Sequence, residues 1–202
     1  MIQGFIPGPR DFAAYVYKIR YFVYAIALLM LLSFLIGAVF AVTMPDETEK
    51  IVSLVASQMA DIDSDSSFSL MINLFVHNGV ICLAMVLLGL ALGLIPLLIA
   101  FDNGIMIGLV GGAAAGRAGL LFTLAAILPH GIIELPMMAL SAAIGLRLGY
   151  CVLMTLFRQP GNVLQELKDG VRVFTVWVLP LLLVAAFVES YITTALVYFL
   201  TQ

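Results

Sequence analysis

Charge is scarce in this sequence. Asp, Glu, Lys and Arg make up 10% of the 202 residues, against 63% hydrophobic ones. A water-soluble domain typically carries about a quarter charged residues. The charge present cannot cover a soluble globule of this size, and lipid is the natural solvent for the remainder. Nine Lys and Arg against twelve acids exclude a basic nucleic-acid surface. Only two cysteines occur, Cys82 and Cys151, both in apolar stretches, where they read as small buried residues rather than a disulfide. There is no Gly-rich phosphate loop, no GxSxG elbow, no CxxC pair and no HExxH. The first apolar run, residues 21–44, is longer than a secretory core segment and is not read as a cleaved leader.

What is present points to an all-α polytopic transmembrane helical bundle of about five spans, some broken or kinked. Residues 1–20 carry Arg10, Lys18 and Arg20 among Phe5, Ile6, Phe12, Tyr15 and Tyr17, the pattern of an interfacial helix. Residues 21–202 form one transmembrane domain whose first span is 21–44. Residues 45–70 are acidic, with Asp46, Glu47, Glu49, Asp61, Asp63 and Asp65 against Lys50, and Ser64, Ser66 and Ser67 near the end. Ile51, Leu54, Val55 and Met59 recur there at helical spacing, which predicts an external amphipathic helix. The next apolar stretch, 68–101, would be about 51 Å long as one helix, too long for a straight crossing. A span over 76–100 with a kink at Pro96 and a turn at Asp102-Asn103-Gly104 fits better. Residues 104–128 make the third span, a run opened by Pro129 and reaching 157 the fourth, and 171–200 the last, kinked at Pro180.

Basic flanks predict the cytoplasmic side. The N-terminus and the loop 158–170 are basic, with Arg172 just beyond, so both are expected inside the cell membrane. The loop 45–70 and the C-terminus are then outside.

Ionisable residues within membrane spans are rare and mark function by default. His130 and Glu134 are one helical turn apart on one face. Glu189 lies about 25 Å along its helix from Arg172, at a depth near His130. His77-Asn78 and Arg117 complete the expected polar cluster. It fits a polar network fixing helix packing, a proton or ion relay, or a metal site with His77, His130, Glu134 and Glu189 as candidate ligands. No cofactor is otherwise expected; zinc or another divalent metal is the candidate. Arg117 is either the counter-ion of Glu134 or Glu189 or a surface loop residue. Gly104, Gly108, Gly112 and Gly116 form a small-residue face, and Gly145 and Gly149 a second one, suited to close helix packing or self-association.

Leu128-Pro129-His130-Gly131-Ile132-Ile133-Glu134-Leu135-Pro136, followed by Gly145-Leu146-Arg147-Leu148-Gly149, resembles the signature of the stage II sporulation protein M family. Asn103-Gly104 with Gly108, and Phe187-Val188-Glu189-Ser190-Tyr191-Ile192-Thr193, resemble two further elements; His77-Asn78 departs from an expected asparagine pair. The resemblance spans most of residues 70–200. It implies a multi-pass membrane protein whose namesake, in spore formers, organises two partners that remodel peptidoglycan. The expectation is therefore a non-enzymatic scaffold in the lipid bilayer. It would form homo-oligomers and bind membrane or extracytoplasmic protein partners through residues 45–70, with no nucleic acid involved. The alternatives are a small transporter or channel using His130, Glu134 and Glu189, and a metal site or intramembrane hydrolase with Glu134 as base.

Overall fold

The computed structural model describes residues 7–60 and 66–200. Phe5, Ile6, Asp61, Asp63, Ser64 and Asp65, and the side chain of Met59, lie outside the described residues. Everything described is helix or short turn, with no strand. The helices are α1 (Pro9–Lys18), α2 (Arg20–Thr43), α3 (Pro45–Ala60), α4 (Ser67–Leu87), α5 (Leu94–Ala118), α6 (Leu120–Leu156), α7 (Val163–Val173), α8 (Leu179–Phe187) and α9 (Thr194–Leu200). A 3-10 turn, Leu88–Leu90, extends α4, and π-helical turns, Phe174–Val178 and Val188–Thr193, join α7 to α8 and α8 to α9. Five segments are long and apolar enough to cross a membrane: Arg20–Thr43, Ser67–Leu90, Leu94–Ala118, Leu120–Leu156 and Val163–Leu200.

The span count matches the sequence reading, but two boundaries move. The expected turn at Asp102-Asn103-Gly104 sits in the middle of α5. Asn103 there donates to the Ile99 carbonyl at 2.8 Å, bonding its own helix. The true reversal is at residues 91–93, where Leu92 and Gly93 take positive φ of 58° and 76°. Pro96 falls in the first turn of α5, where its missing N–H is harmless. The turn docks its Gly93 backbone on the bundle: a Cβ on Gly149 would lie 2.1 Å from the Gly93 nitrogen, while the Leu92 side chain is exposed. Pro129 does not open a helix; it and Pro136 lie inside α6, whose start follows Gly119 at φ 86°. The last span begins earlier than expected, at Val163, so most of the supposed loop 158–170 is helix capped by the Asn162 side chain. Pro180 cannot donate to residue 176, and the π turn Phe174–Val178 absorbs that break.

Glycines set the helix directions. Met30 and Ser33 lie against Gly104, Phe34 and Ala38 against Gly108, and Ala41 against Gly112. The numbers rise together, so α2 and α5 run parallel, as one intervening return span requires. Pro96 against Gly145 and Ile127 against Gly111 make α5 and α6 antiparallel. Met85 against Gly145 and Leu92 against Gly149 make α4 and α6 parallel. Ile144 against Gly170 and Glu134 near Glu189 make the last span antiparallel to α6, so the five spans alternate in direction. One end carries α1 and α7, the other α3. The core between α4, α6 and α8 holds Cys82, Met85, Ala142, Ile144, Val178 and Leu182, each at most 1% exposed. Cys82 and Cys151 are buried and unbridged.

Candidate functional site

The site grows from two prolines. Pro129 and Pro136 leave the carbonyls of Ala125 and Ile132 without their usual i+4 donor. Between these interruptions His130 and Glu134 share one face of α6. Glu189 comes from the fifth span, in the π turn Val188–Thr193, whose extra residue resets the face that the following turns present. One ligand atom each of His130, Glu134 and Glu189 lies within 4.8 Å of the other two, and all three residues are half-buried. Among the described residues no hydrogen bond or ion pair links any of them. The buried Nδ1 of His130 has no hydrogen-bond partner, nor do the buried hydroxyls of Ser190 and Thr193 on the Glu189 turn.

His130 also forms part of the wall of a cavity of about 800 Å³ between α4, α5 and α6. Its polar lining is His77, Asp102, Asn103 and His130, and Val55 of α3 borders it. Toward the α1 end its lining stops at Ala84 and Leu98. Beyond, a Cβ on Gly89 would lie 2.3 Å from the Gly145 carbonyl oxygen, so no gap separates those backbones. A second cavity, of about 770 Å³ between α2, α5 and α6, is almost wholly apolar.

The other expected site residues lie elsewhere. His77 is exposed to the first cavity and is not among the three converging groups. Asn78 is half-buried on α4. Arg117 is an exposed residue that pairs with Glu49 of α3, not with Glu134 or Glu189. The sequence left it either in the polar cluster or at the outer surface; its position at the last turn of α5 carries it out to the acidic helix. Gly104, Gly108, Gly112, Gly145 and Gly149 are all occupied by neighbouring spans of the same chain, while a Cβ on Gly116 would meet nothing.

A second polar cluster went unforeseen. Glu166, 5% exposed, takes Lys18 at 2.7 Å, stands 3.6 Å from Arg147 Nε and accepts from the Tyr15 hydroxyl at 3.4 Å. Asp169, 1% exposed, accepts from Gln165 at 2.9 Å. Burial first, then the Glu166 and Asp169 carboxylates, push the Tyr15 phenol far above its ordinary range, so it stays a donor. Phe12 stacks on Trp177 at 4.8 Å, and the Trp177 indole donates to the Pro7 carbonyl at 3.0 Å. Together these contacts clamp α1 onto the start of the last span. The legible signal was the Asn162 cap followed by Glu166, Asp169, Gly170 and Val173 at helical spacing.

Known proteins add a family and little more. Over 101 residues the chain is 34% identical to a protein of Methanocaldococcus jannaschii described as uncharacterized. The match takes in 48% of this chain and 56% of that protein, so the chain spans little more than half of its relative's length. No solved structure matches. Residues 26–194 match the family described as Stage II sporulation protein M. That range takes in the proline-flanked His130 and Glu134, the π turn of Glu189 and most of all five spans, and the chain belongs to the stage II sporulation protein M family.

Proposed function

We propose that this protein is a non-enzymatic membrane organiser, which anchors in the bilayer and presents α3 to a partner on the extracytoplasmic side. The observation that carries this reading is the closed packing toward the α1 end. The cavity at His130 stops at Ala84 and Leu98, and the core behind it is at most 1% exposed at Cys82, Met85, Ile144 and Leu182. A dead end suits a binding or anchoring role better than a conduit. The α3 helix fits the display role: Thr48 is buried against the bundle, while Asp46, Glu47, Ser53 and Leu54 are exposed. The basic α1 end would lie at the cytoplasmic face of the cell membrane. Self-association belongs to the same proposal and would use lipid-facing side chains, since Gly104, Gly108, Gly112, Gly145 and Gly149 already have partners within the chain.

Two measurements test it. Proteoliposomes containing the purified chain should pass protons and divalent cations no faster than empty ones; a flux abolished by Glu134→Gln would replace the organiser with a transporter. Photo-crosslinking groups placed at Asp46, Ser53 or Leu54 in native membranes should yield discrete protein adducts. Adducts only from positions on the α1 end would show that the wrong face had been chosen.

A further inference from the structure

Two carboxylates a few ångströms apart in a low-dielectric interior repel unless something neutralises them. The ion pairs of the described Lys and Arg residues all lie elsewhere. Lys18 and Arg147 turn to Glu166 and Arg172 to Asp169 at the α1 end. Lys50 turns to Glu47 and Arg117 to Glu49 on α3. Glu134 and Glu189 have a nitrogen ligand, His130, as their neighbour, and its Nδ1 has no partner although buried. The three groups are near enough to share an ion, yet none bonds another. A divalent ion takes His nitrogen and carboxylate oxygen at about 2.0–2.2 Å, so ligand atoms around it stand several ångströms apart without touching.

We infer that His130, Glu134 and Glu189 bind one divalent transition-metal cation, which enters through the cavity between α4, α5 and α6. The charges sum to zero: two carboxylates and a dication leave no net charge in the membrane interior, whereas a monovalent ion leaves one negative charge. One imidazole and two carboxylates suit Zn²⁺, Mn²⁺, Fe²⁺ or Co²⁺; soft ions want thiolates, and Ca²⁺ wants six or more oxygens. The cavity supplies access, since His130 forms part of its wall and Asp102 and Asn103 give a passing cation polar contacts. The site does not depend on the organiser reading.

The experiment uses the full chain in lipid nanodiscs, stripped with a chelator and titrated with Co²⁺, then Zn²⁺. The wild-type chain should take up about one Co²⁺, with the visible absorption of nitrogen–oxygen ligation, and lose it to Zn²⁺. His130→Ala, and separately Glu134→Gln with Glu189→Gln, should weaken binding about ten-fold or more, while His77→Ala keeps the stoichiometry. A wild-type chain with no Co²⁺ spectrum overturns the proposal without recourse to any variant. So does unchanged binding in the double glutamine variant, or a loss in His77→Ala as complete as in His130→Ala.

Discussion

At the scale of single residues, the glycines divide by what a methyl group would meet. A Cβ on Gly108 would stand 2.2 Å from the Phe34 carbonyl oxygen and 2.8 Å from the Ala38 nitrogen, both backbone atoms. Gly108→Ala should therefore force α2 and α5 apart and destabilise the fold by about 1–3 kcal/mol. Gly116→Ala meets nothing within 4 Å and gains up to about 1 kcal/mol of helix propensity. Thermal melts of the two variants in the same detergent should move in opposite directions; a Gly108→Ala midpoint at or above wild type would sink this account. Glu166 is the other decisive residue. Glu166→Ala strands Lys18, Arg147 and the Tyr15 hydroxyl around an empty centre, and losing one partner of a buried pair costs about 3–5 kcal/mol. Lys18 is 39% exposed and recovers some hydration, so the lower end of that range is expected. The same melts measure it, with proteolysis near Pro9–Lys18 as a local readout of α1 detaching.

At the scale of elements, the α3 helix is tied to the bundle by Thr48, buried to 1% exposure, and by the Arg117–Glu49 pair. That pair is more than half exposed on both sides, so removing it costs less than about 1 kcal/mol. Arg117→Ala should leave the melt almost unchanged. Glu49→Cys with Arg117→Cys should cross-link rapidly on mild oxidation, and failure to do so would detach α3 from the end of α5.

Element boundaries also show how far the sequence could be read. Length and hydropathy sufficed for five spans, because backbone in lipid must be helical and about 20 residues cross the bilayer. They did not suffice for the second boundary. Asp102-Asn103-Gly104 has the composition of a water-exposed turn, yet Asn103 bonds Ile99 of its own helix and Gly104 packs on Ser33 of α2. The real turn at 91–93 has no polar side chain to announce it: Gly93 packs on Gly149, and Leu92 is an exposed apolar residue. At the site, the His130–Glu134 pairing follows from helical spacing alone. Bringing Glu189 to it was a matter of depth, while the π turn that aims it leaves no periodic trace. The Glu166 cluster was hidden because charges after Phe157 read as a solvated loop, whereas α7 turns its carboxylates inward.

At the scale of the whole molecule, the alternating spans put the basic α1 end and the acidic α3 helix on opposite sides. With Cys82 and Cys151 buried, single cysteines can report on sidedness. Asp46→Cys should react with an impermeant maleimide on intact cells, and Gln159→Cys only after permeabilisation. The reverse order would invert the orientation and move α3 to the cytoplasm, and equal labelling of both would deny the chain a single orientation.

A run of close backbone approaches joins α2 to α5, spans that are not neighbours in sequence. During synthesis α2 enters the membrane two spans ahead of its partner and waits with Gly37 and Ser33 uncovered until Gly104, Gly108 and Gly112 arrive. Chains halted before residue 104 leave that groove open, and the seam between the first and third spans is where a stalled or half-made copy is most exposed to the wrong helix.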